Sequence, residues 1–426
     1  MSELADRITQ AVDRQREAIV STLCDLVRIN TINPYSGGTL VGTEKDGQLY
    51  LEPRFRQLGA TTALQPLPDD VYAQAGIIGP ANRDFTDRPN LVATFEFGPG
   101  PHVLVFGHMD TVAADDMAAP LEPVRRDGKV FGRGTSDDKG GLATALHAAE
   151  VLSTLGAPLA GTLSVASVVE EECNGGGAGI MALLLSGLRP DTAICVDDYS
   201  GHVCRGCAGV VTGHIDVPGV AGHAAAPGGV SALDKALVVK AALDRFKADR
   251  EADRPMGLLN IGVFRAGINP AVVPGSAEMA FNLVYFLDEA TAAQQAGQAF
   301  SAALLRQRIE HLVAEAAAAD TFLAEHAPTV TWVKDLPPYE TSVEAGVLRT
   351  VCAAFQDVTR EAPPVETMNG WSDAAHVPLM AGCAVAGLGV GAPGAAHAAG
   401  EYVEEAILVR NTKILALSLA RLLATS

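Results

Sequence analysis

The apolar run Val103-Leu104-Val105-Phe106 ends abruptly in Gly107-His108-Met109-Asp110-Thr111-Val112. Four apolar residues closed by a glycine predict a short buried strand, so the polar residues sit at its C-terminal end. Gly134-Thr135-Ser136-Asp137-Asp138-Lys139-Gly140-Gly141 then opens a helix, whose apolar face is Leu142, Ala145, Leu146, Ala149 and Leu152 and which Gly156 and Pro158 stop. An imidazole and several carboxylates are thereby held between the end of a strand and the start of a helix. In open α/β sheets ligands bind at that edge.

The rest of the chain extends this pattern. Residues 3–30 and 46–59 read as amphipathic helices, and residues 66–90, rich in Pro, Asp and Gly, as loop. Strands are expected at 90–97 and 103–106 around the turn Gly98-Pro99-Gly100-Pro101, at 161–169 ending in Glu170-Glu171-Glu172, and at 192–196 ending in Asp197-Asp198, with a helix at about 177–187. Such alternation indicates an α/β, mostly parallel sheet with helices on both faces.

From Gly209 the order changes to strand 210–217, helix 230–247, strands 257–264 and 275–286, an Ala-rich helical region 289–326 and strand 329–333. That is β-α-β-β-α-β, the ferredoxin-like order. The first unit resumes with a helix from about 342, where Thr341-Ser342-Val343-Glu344 has capping-box spacing, then strand 384–390, a Gly/Ala-rich loop bearing His397, and a helix at 404–423. At 426 residues the chain exceeds one comfortable core. Residues 1–208 and 337–426 are therefore expected to form a catalytic domain, and 209–336 an inserted one.

Composition excludes several partners. A net charge of −19 and a pI near 4.9 argue against nucleic acid and anionic membrane surfaces. No segment supplies the ~20 apolar residues of a membrane helix, and Met1–Arg7 carries charges where a secretory h-region is expected to be apolar. Seven scattered cysteines fit reduced thiols in a cytoplasm. The lone Cys204-x-x-Cys207 reads as structural.

His108, Glu171 or Glu172, Asp197 and His397 each lie at or beyond a strand's C-terminal end, and Asp137 joins them from the loop before a helix. Five such groups on one edge would repel one another without a cation. Two His and three carboxylates suit two divalent ions, zinc first, with manganese or cobalt as alternatives. A shared carboxylate would bridge ions ~3.5–4 Å apart, and such a centre lowers the pKa of bound water toward ~7. Of Glu171 and Glu172, one can ligate and the other can act as base. Asp110 is placed to hold the second nitrogen of His108. Glu170 reads as a solvated acid, and Asp373 as a helix cap or support.

The segments Gly107–Val112, Gly132–Gly141 and Val168–Glu172 together resemble the signature motifs of the M20 family of dinuclear metallohydrolases. The resemblance implies a zinc-peptidase-like catalytic domain with an inserted lid and dimerisation domain. It assigns His108 and Asp197 to one metal, Glu172 and His397 to the other, Asp137 to the bridge and Glu171 to general base and acid. Gly219–Pro227 resembles the family's lid segment, whose histidine, here His223, reaches the partner subunit's active site in a homodimer and stabilises the oxyanion. Asn269, in Gly267–Pro274, matches a substrate-contacting Asn.

Three positions depart from the pattern. Asp197-Asp198-Tyr199 stands where the family often has Glu-Pro-Thr, leaving Asp198 as an alternative ligand. Glu170-Glu171-Glu172 replaces a common Asp-Glu-Glu. Phe281-Asn282-Leu283-Val284-Tyr285-Phe286 lacks an Arg that many members carry. The expected reaction is C–N bond hydrolysis by metal-activated hydroxide, on the amide of a small N-acyl amino acid or dipeptide-like substrate. Deamination of an amino-substituted aromatic acid is the alternative, given the missing Arg and the presence of Tyr199, Tyr339 and Trp371. A non-catalytic binding protein would be expected to lose a ligand or the base, and this chain keeps the full set.

Overall fold

A computed structural model describes residues 2–156, 158–172, 175–254, 256 and 258–424. The main sheet runs, edge to edge, Thr61–Gln65, Asn90–Glu96, Thr162–Val168, His102–His108, Thr192–Cys195, Ala384–Gly387, Val203–Cys207 and Tyr339–Glu340, with Val365–Met368 also paired to Val203–Cys207. Its four central strands are mutually parallel. The flanks are antiparallel except for Val365–Met368, which runs parallel to Val203–Cys207, so the sheet is mixed. Burial explains the difference. Strand His102–His108 is buried almost throughout, as a parallel strand covered on both faces must be, whereas Thr61–Gln65 is half exposed. Val203–Cys207 was not legible as a strand because Val-Cys-Arg-Gly-Cys carries no alternation.

Other departures from the sequence reading have local causes. The first helical stretch is two helices, Ser2–Arg14 and Arg16–Arg28, broken at Gln15. The Ala-rich stretch is also two, Leu287–Gln295 and Ala303–Ala318, separated around Gly297, whose φ is +78°. A short helix, Val71–Ala75, lies within the predicted loop. The capping box at Thr341 does not form: the helix begins at Gly346, and the Thr341 hydroxyl donates instead to Val385 O at 2.7 Å, tying this segment to a central strand.

The second sheet is four-stranded and antiparallel, ordered Leu259–Ala266, Ser276–Tyr285, Gly209–Pro218, Thr329–Leu336. Numbered along the chain this is 2-3-1-4, with helices Ala232–Asp253 and Ala303–Ala318 on one face. Val211, Ile215, Phe281 and Leu283 pack there against Val239, Leu243 and Ile309. Alternation sends Val210, Thr212, Asn282 and Val284 to the opposite face. No helix among the described residues is long and apolar enough to cross a membrane.

The helix Lys139–Thr154 packs almost wholly buried in the larger core, beside Glu405–Leu422. Its start is set by two glycines. A Cβ on Gly141 would lie 2.1 Å from Asp138 Oδ1 and 2.6 Å from Val196 O, and one on Gly107 would lie 2.1 Å from Asp138 Oδ2. The Asp138 carboxyl fills the space between strand and helix that side chains would otherwise take. Gly141→Ala is expected to lower stability by about 1–3 kcal/mol in denaturant titrations. Gly346→Ala, whose Cβ meets nothing within 4 Å, should be neutral or stabilise by up to about 1 kcal/mol. Equal losses in both would contradict the packing argument.

Candidate metal centre

The parallel strands end side by side, so the loops that follow them share one edge. His108 is the last residue of its strand and is 1% exposed. Its Nε2 lies 2.8 Å from Asp137 Oδ1 and 3.9 Å from Asp197 Oδ1. The other oxygen, Asp137 Oδ2, lies 3.1 Å from His397 Nε2, which is also 3.1 Å from Glu172 Oε1. Asp137 thus turns one oxygen to each histidine, and a further carboxylate accompanies each pair. Donor atoms of His108, Asp137 and Glu172 fall within 4.8 Å of one another. His397 is half exposed and closes the cluster from solvent, with its backbone in the left-handed region at φ +62°. A non-glycine residue in that region is uncommon and concentrates at functional sites.

Around this cluster lies a layer of buried charge. Glu401 accepts from the backbone N–H groups of Gly134, Ser136 and Asp137 at 3.0, 2.9 and 3.3 Å, and from Arg133 Nη1 at 2.8 Å. It clamps the loop that presents Asp137. His108 Nδ1 is nearest the backbone carbonyl of Asp110, at 2.9 Å, while the Asp110 carboxylate is 3.6 Å away. That carboxylate instead accepts from Glu171 N at 3.3 Å, Glu172 N at 3.1 Å and Asn33 Nδ2 at 2.8 Å, so it joins the His108 strand to the Glu loop. Glu170 is not solvated: it is fully buried, 3.0 Å from Arg83 Nε and 2.6 Å from Arg88 Nη2. Arg88 also grips Glu44, at 2.6 and 2.9 Å.

Asp197 faces the cluster, whereas Asp198 turns away, with Oδ2 3.0 Å from His202 Nε2 and Oδ1 accepting from Tyr199 N. Ser372, not Asp373, caps the short helix there, and the Asp373 carboxyl is buried. His223 and Asn269 are both exposed at a separate two-stranded ribbon, where Gly222–His223 pairs with Val272–Val273 and Asn269 Oδ1 accepts from Ala271 N. Neither lines the cavity beside the cluster. Glu171 does: it lines a cavity of about 440 Å³ together with Asp137, Glu172, Asp197 and His397.

The electrostatics fit a cation site. Burial, reinforced by the Asp137 charge, raises Glu172 and Asp197 to about 7. Burial also lifts Glu171 well above the usual carboxylate range. Hydrogen bonds to Asp137 and Glu172 push His397 up to about 10. Burial opposes charge on His108, yet Asp110 and Asp137 outweigh it and hold the imidazole well above its ordinary value. Without metal, protons do the neutralising. A donor set in which two imidazoles and three carboxylates share one carboxylate suits two divalent ions in their place.

Fold and site together define a metal-dependent hydrolase. Residues 104–421 match the model of peptidase family M20/M25/M40, and the chain belongs to that family. It is 25% identical to N-formyl-4-amino-5-aminomethyl-2-methylpyrimidine deformylase of Halalkalibacterium halodurans, over 95% of this chain and 94% of that enzyme. It is 28% identical to succinyl-diaminopimelate desuccinylase of Gluconacetobacter diazotrophicus, over 94% and 95%. A tripeptidase from Staphylococcus aureus shares the fold, with TM-score 0.71 and 20% identity over 95% of this chain and 99% of that one.

Sequence reasoning missed Arg83, Arg88, Asn33 and Arg133, which hold ligands or their loops without touching the cavity. Only the nearness of Arg133 to the Asp137 motif hinted at any of them.

The pKa shifts set a pH dependence. Glu172 and Asp197, raised in the folded state, contribute stability that is present below about pH 4 and lost as pH rises through 7. His397, also raised, contributes stability present below about pH 6.5 and lost as pH rises through 10. All three losses run the same way, and a divalent ion replaces the departing protons. The rise in Tm on adding saturating zinc should therefore be larger at pH 8 than at pH 5.5. An equal or smaller rise at pH 8 would contradict this description of the cluster.

Proposed function

We propose that the chain hydrolyses the amide of a small N-acyl amino acid or dipeptide-like substrate with two divalent ions, zinc first and manganese or cobalt as substitutes. The observation that carries this reading is Asp137, with one oxygen toward His108 and the other toward His397. His108 and Asp197 would hold one ion, Glu172 and His397 the other, and Asp137 both. When bound, such a pair supplies Lewis acidity to the carbonyl and lowers the pKa of water. Glu171, in the cavity beside the ligands, would as a carboxylate take the proton from the attacking water, and the raised proton affinity that burial gives it suits it to carry that proton to the leaving nitrogen. Asp110 acts through backbone, fixing the orientation of Glu171 and Glu172 and, by its carbonyl, the tautomer of His108.

Residues 209–336 would form a lid and dimerisation domain inserted between the catalytic segments 1–208 and 337–426. His223 and Asn269, exposed and outside the lining of their own chain's cavity, fit a homodimer in which each chain completes the other's site, His223 steadying the oxyanion and Asn269 contacting substrate. Six free cysteines among the described residues accord with a cytoplasmic setting. Deacylation is preferred to deamination because both curated relatives carry names for removal of an acyl group. Retention of Glu171 in the cavity argues against a binding-only protein.

The test is amine release from N-formyl, N-acetyl and N-succinyl amino acids and dipeptides by zinc-reconstituted protein. Chelator-sensitive turnover is expected, with Glu171→Gln lowering kcat by about 10²–10⁴-fold at unchanged metal content. Turnover that survives chelation, or an active Glu171→Gln protein, would overturn the reading, and ammonia release from amino-aromatic acids alone would replace its substrate class.

A further inference from the structure

The cavity has a second wall, and it comes from the other sheet. Opposite the carboxylates, Val210, Asn282, Val284 and Lys334 line it from the open face of that sheet. Lys334 is there because its strand is irregular. Trp332 pairs with Gly213 and packs edge-on against Phe281, on the face covered by helices. In a regular strand Lys334, two residues on, would share that face. The register shifts between Trp332 and Lys334, so Lys334 pairs with Thr212 instead. Asp335 consequently returns to the covered side, where its carboxylate meets Tyr285 Oη at 2.9 Å and Arg306 Nε at 2.9 Å. Bulges of this kind re-aim side chains near functional sites.

The shift completes a row. Asn282, Thr212 and Lys334 stand side by side across three strands. The Thr212 hydroxyl donates to Asn282 Oδ1 at 2.8 Å, which leaves the amide's N–H groups as its donors for another partner. Lys334, 8% exposed, sits in a largely desolvated position, where a charge-assisted hydrogen bond is stronger than in water. One wall of the cavity therefore presents anionic metal-ligating groups and the facing wall an ammonium and an amide. Trp371 and Met368 also line the cavity.

We infer that Lys334, with Asn282 beside it, reads a carboxylate on the substrate, at the end of the molecule away from the scissile amide. This rests on the amidase reading and adds to it the residues that recognise the substrate's acidic group. It also accounts for the absence of arginine from Phe281–Phe286: the cation enters from the strand ending at Leu336. The volume, about 440 Å³, suits a small molecule.

The test uses paired probes on the zinc-loaded full-length protein. One pair varies the amine side, N-acetyl amino acids against their carboxamides. The other varies the acyl side, N-succinyl against N-butyryl amines. Each is read by kcat/KM and by calorimetric affinity. An acid should be preferred over its neutral partner in at least one pair by roughly tenfold to a hundredfold, and the pair that responds tells which half of the substrate carries the carboxylate. Lys334→Met should abolish that preference mainly through KM, and Lys334→Arg should restore part of it. Asn282→Asp, a near-isosteric change on the open face, should weaken the acid more than its neutral partner.

Equal affinity for acid and neutral partners in both pairs, or an acid preference that survives Lys334→Met, would overturn the assignment. Binding that prefers the acid and depends on Lys334, without turnover of any amide, would uphold this recognition role and instead defeat the amidase reading.

Discussion

Everything at the sheet edge depends on how one carboxylate is shared. Asp137 stands between two histidines that come from opposite ends of the chain, His108 at the tip of a central strand and His397 on a loop near the C-terminus. Beside them, Glu172 and Asp197 are so crowded that burial and the Asp137 charge raise both to about 7. A cluster of this kind is unfavourable unless positive charge enters it. Two divalent ions are the economical solution, because one carboxylate facing both ways serves each.

Such crowding needs a rigid surround. The loop before the helix Lys139–Thr154 is held by Glu401 through three backbone N–H groups, and Glu401 is neutralised in turn by Arg133. The Glu loop is held by Asp110 from one side and, through Glu170, by Arg83 and Arg88 from another. Removing one partner of a buried pair strands the other charge at a cost of about 3–5 kcal/mol, so these residues act on the candidate ligands from outside the cavity. Only glycine at 107 and 141 leaves room for the Asp138 carboxyl that separates strand from helix. The second sheet adds the opposite wall of the cavity, and the irregularity near Val333 gives that wall its cation.

The local chemistry was legible because strand ends and helix starts have strong sequence signals. Val103–Phe106 followed by Gly-His-Met-Asp fixes the strand and the imidazole, and the glycines around Asp137 mark the turn into the helix. The ferredoxin-like order was equally readable from alternation and spacing. What escaped was set by long-range partners. Thr341 looked like a cap but bonds across to Val385. Glu170 looked solvated because neither Arg83 nor Arg88 is near it in sequence. Asp110 was expected to serve His108 by its carboxylate, yet its carbonyl does so while the carboxylate holds backbone N–H groups. The placement of Lys334 follows from a one-residue register shift, which no periodicity reveals. His223 and Asn269 were assigned by resemblance, and neither lines the cavity of its own chain.

The most direct measurement is metal stoichiometry by mass spectrometry after equilibrium dialysis, on the native sequence and on Asp137→Ala. Two divalent ions per chain are expected for the native protein, and one or none for Asp137→Ala with the fold intact by circular dichroism, since each ion loses the carboxylate it shares. A native protein that binds a single ion, or an Asp137→Ala protein that still binds two, would contradict the bridging role on which the site is built.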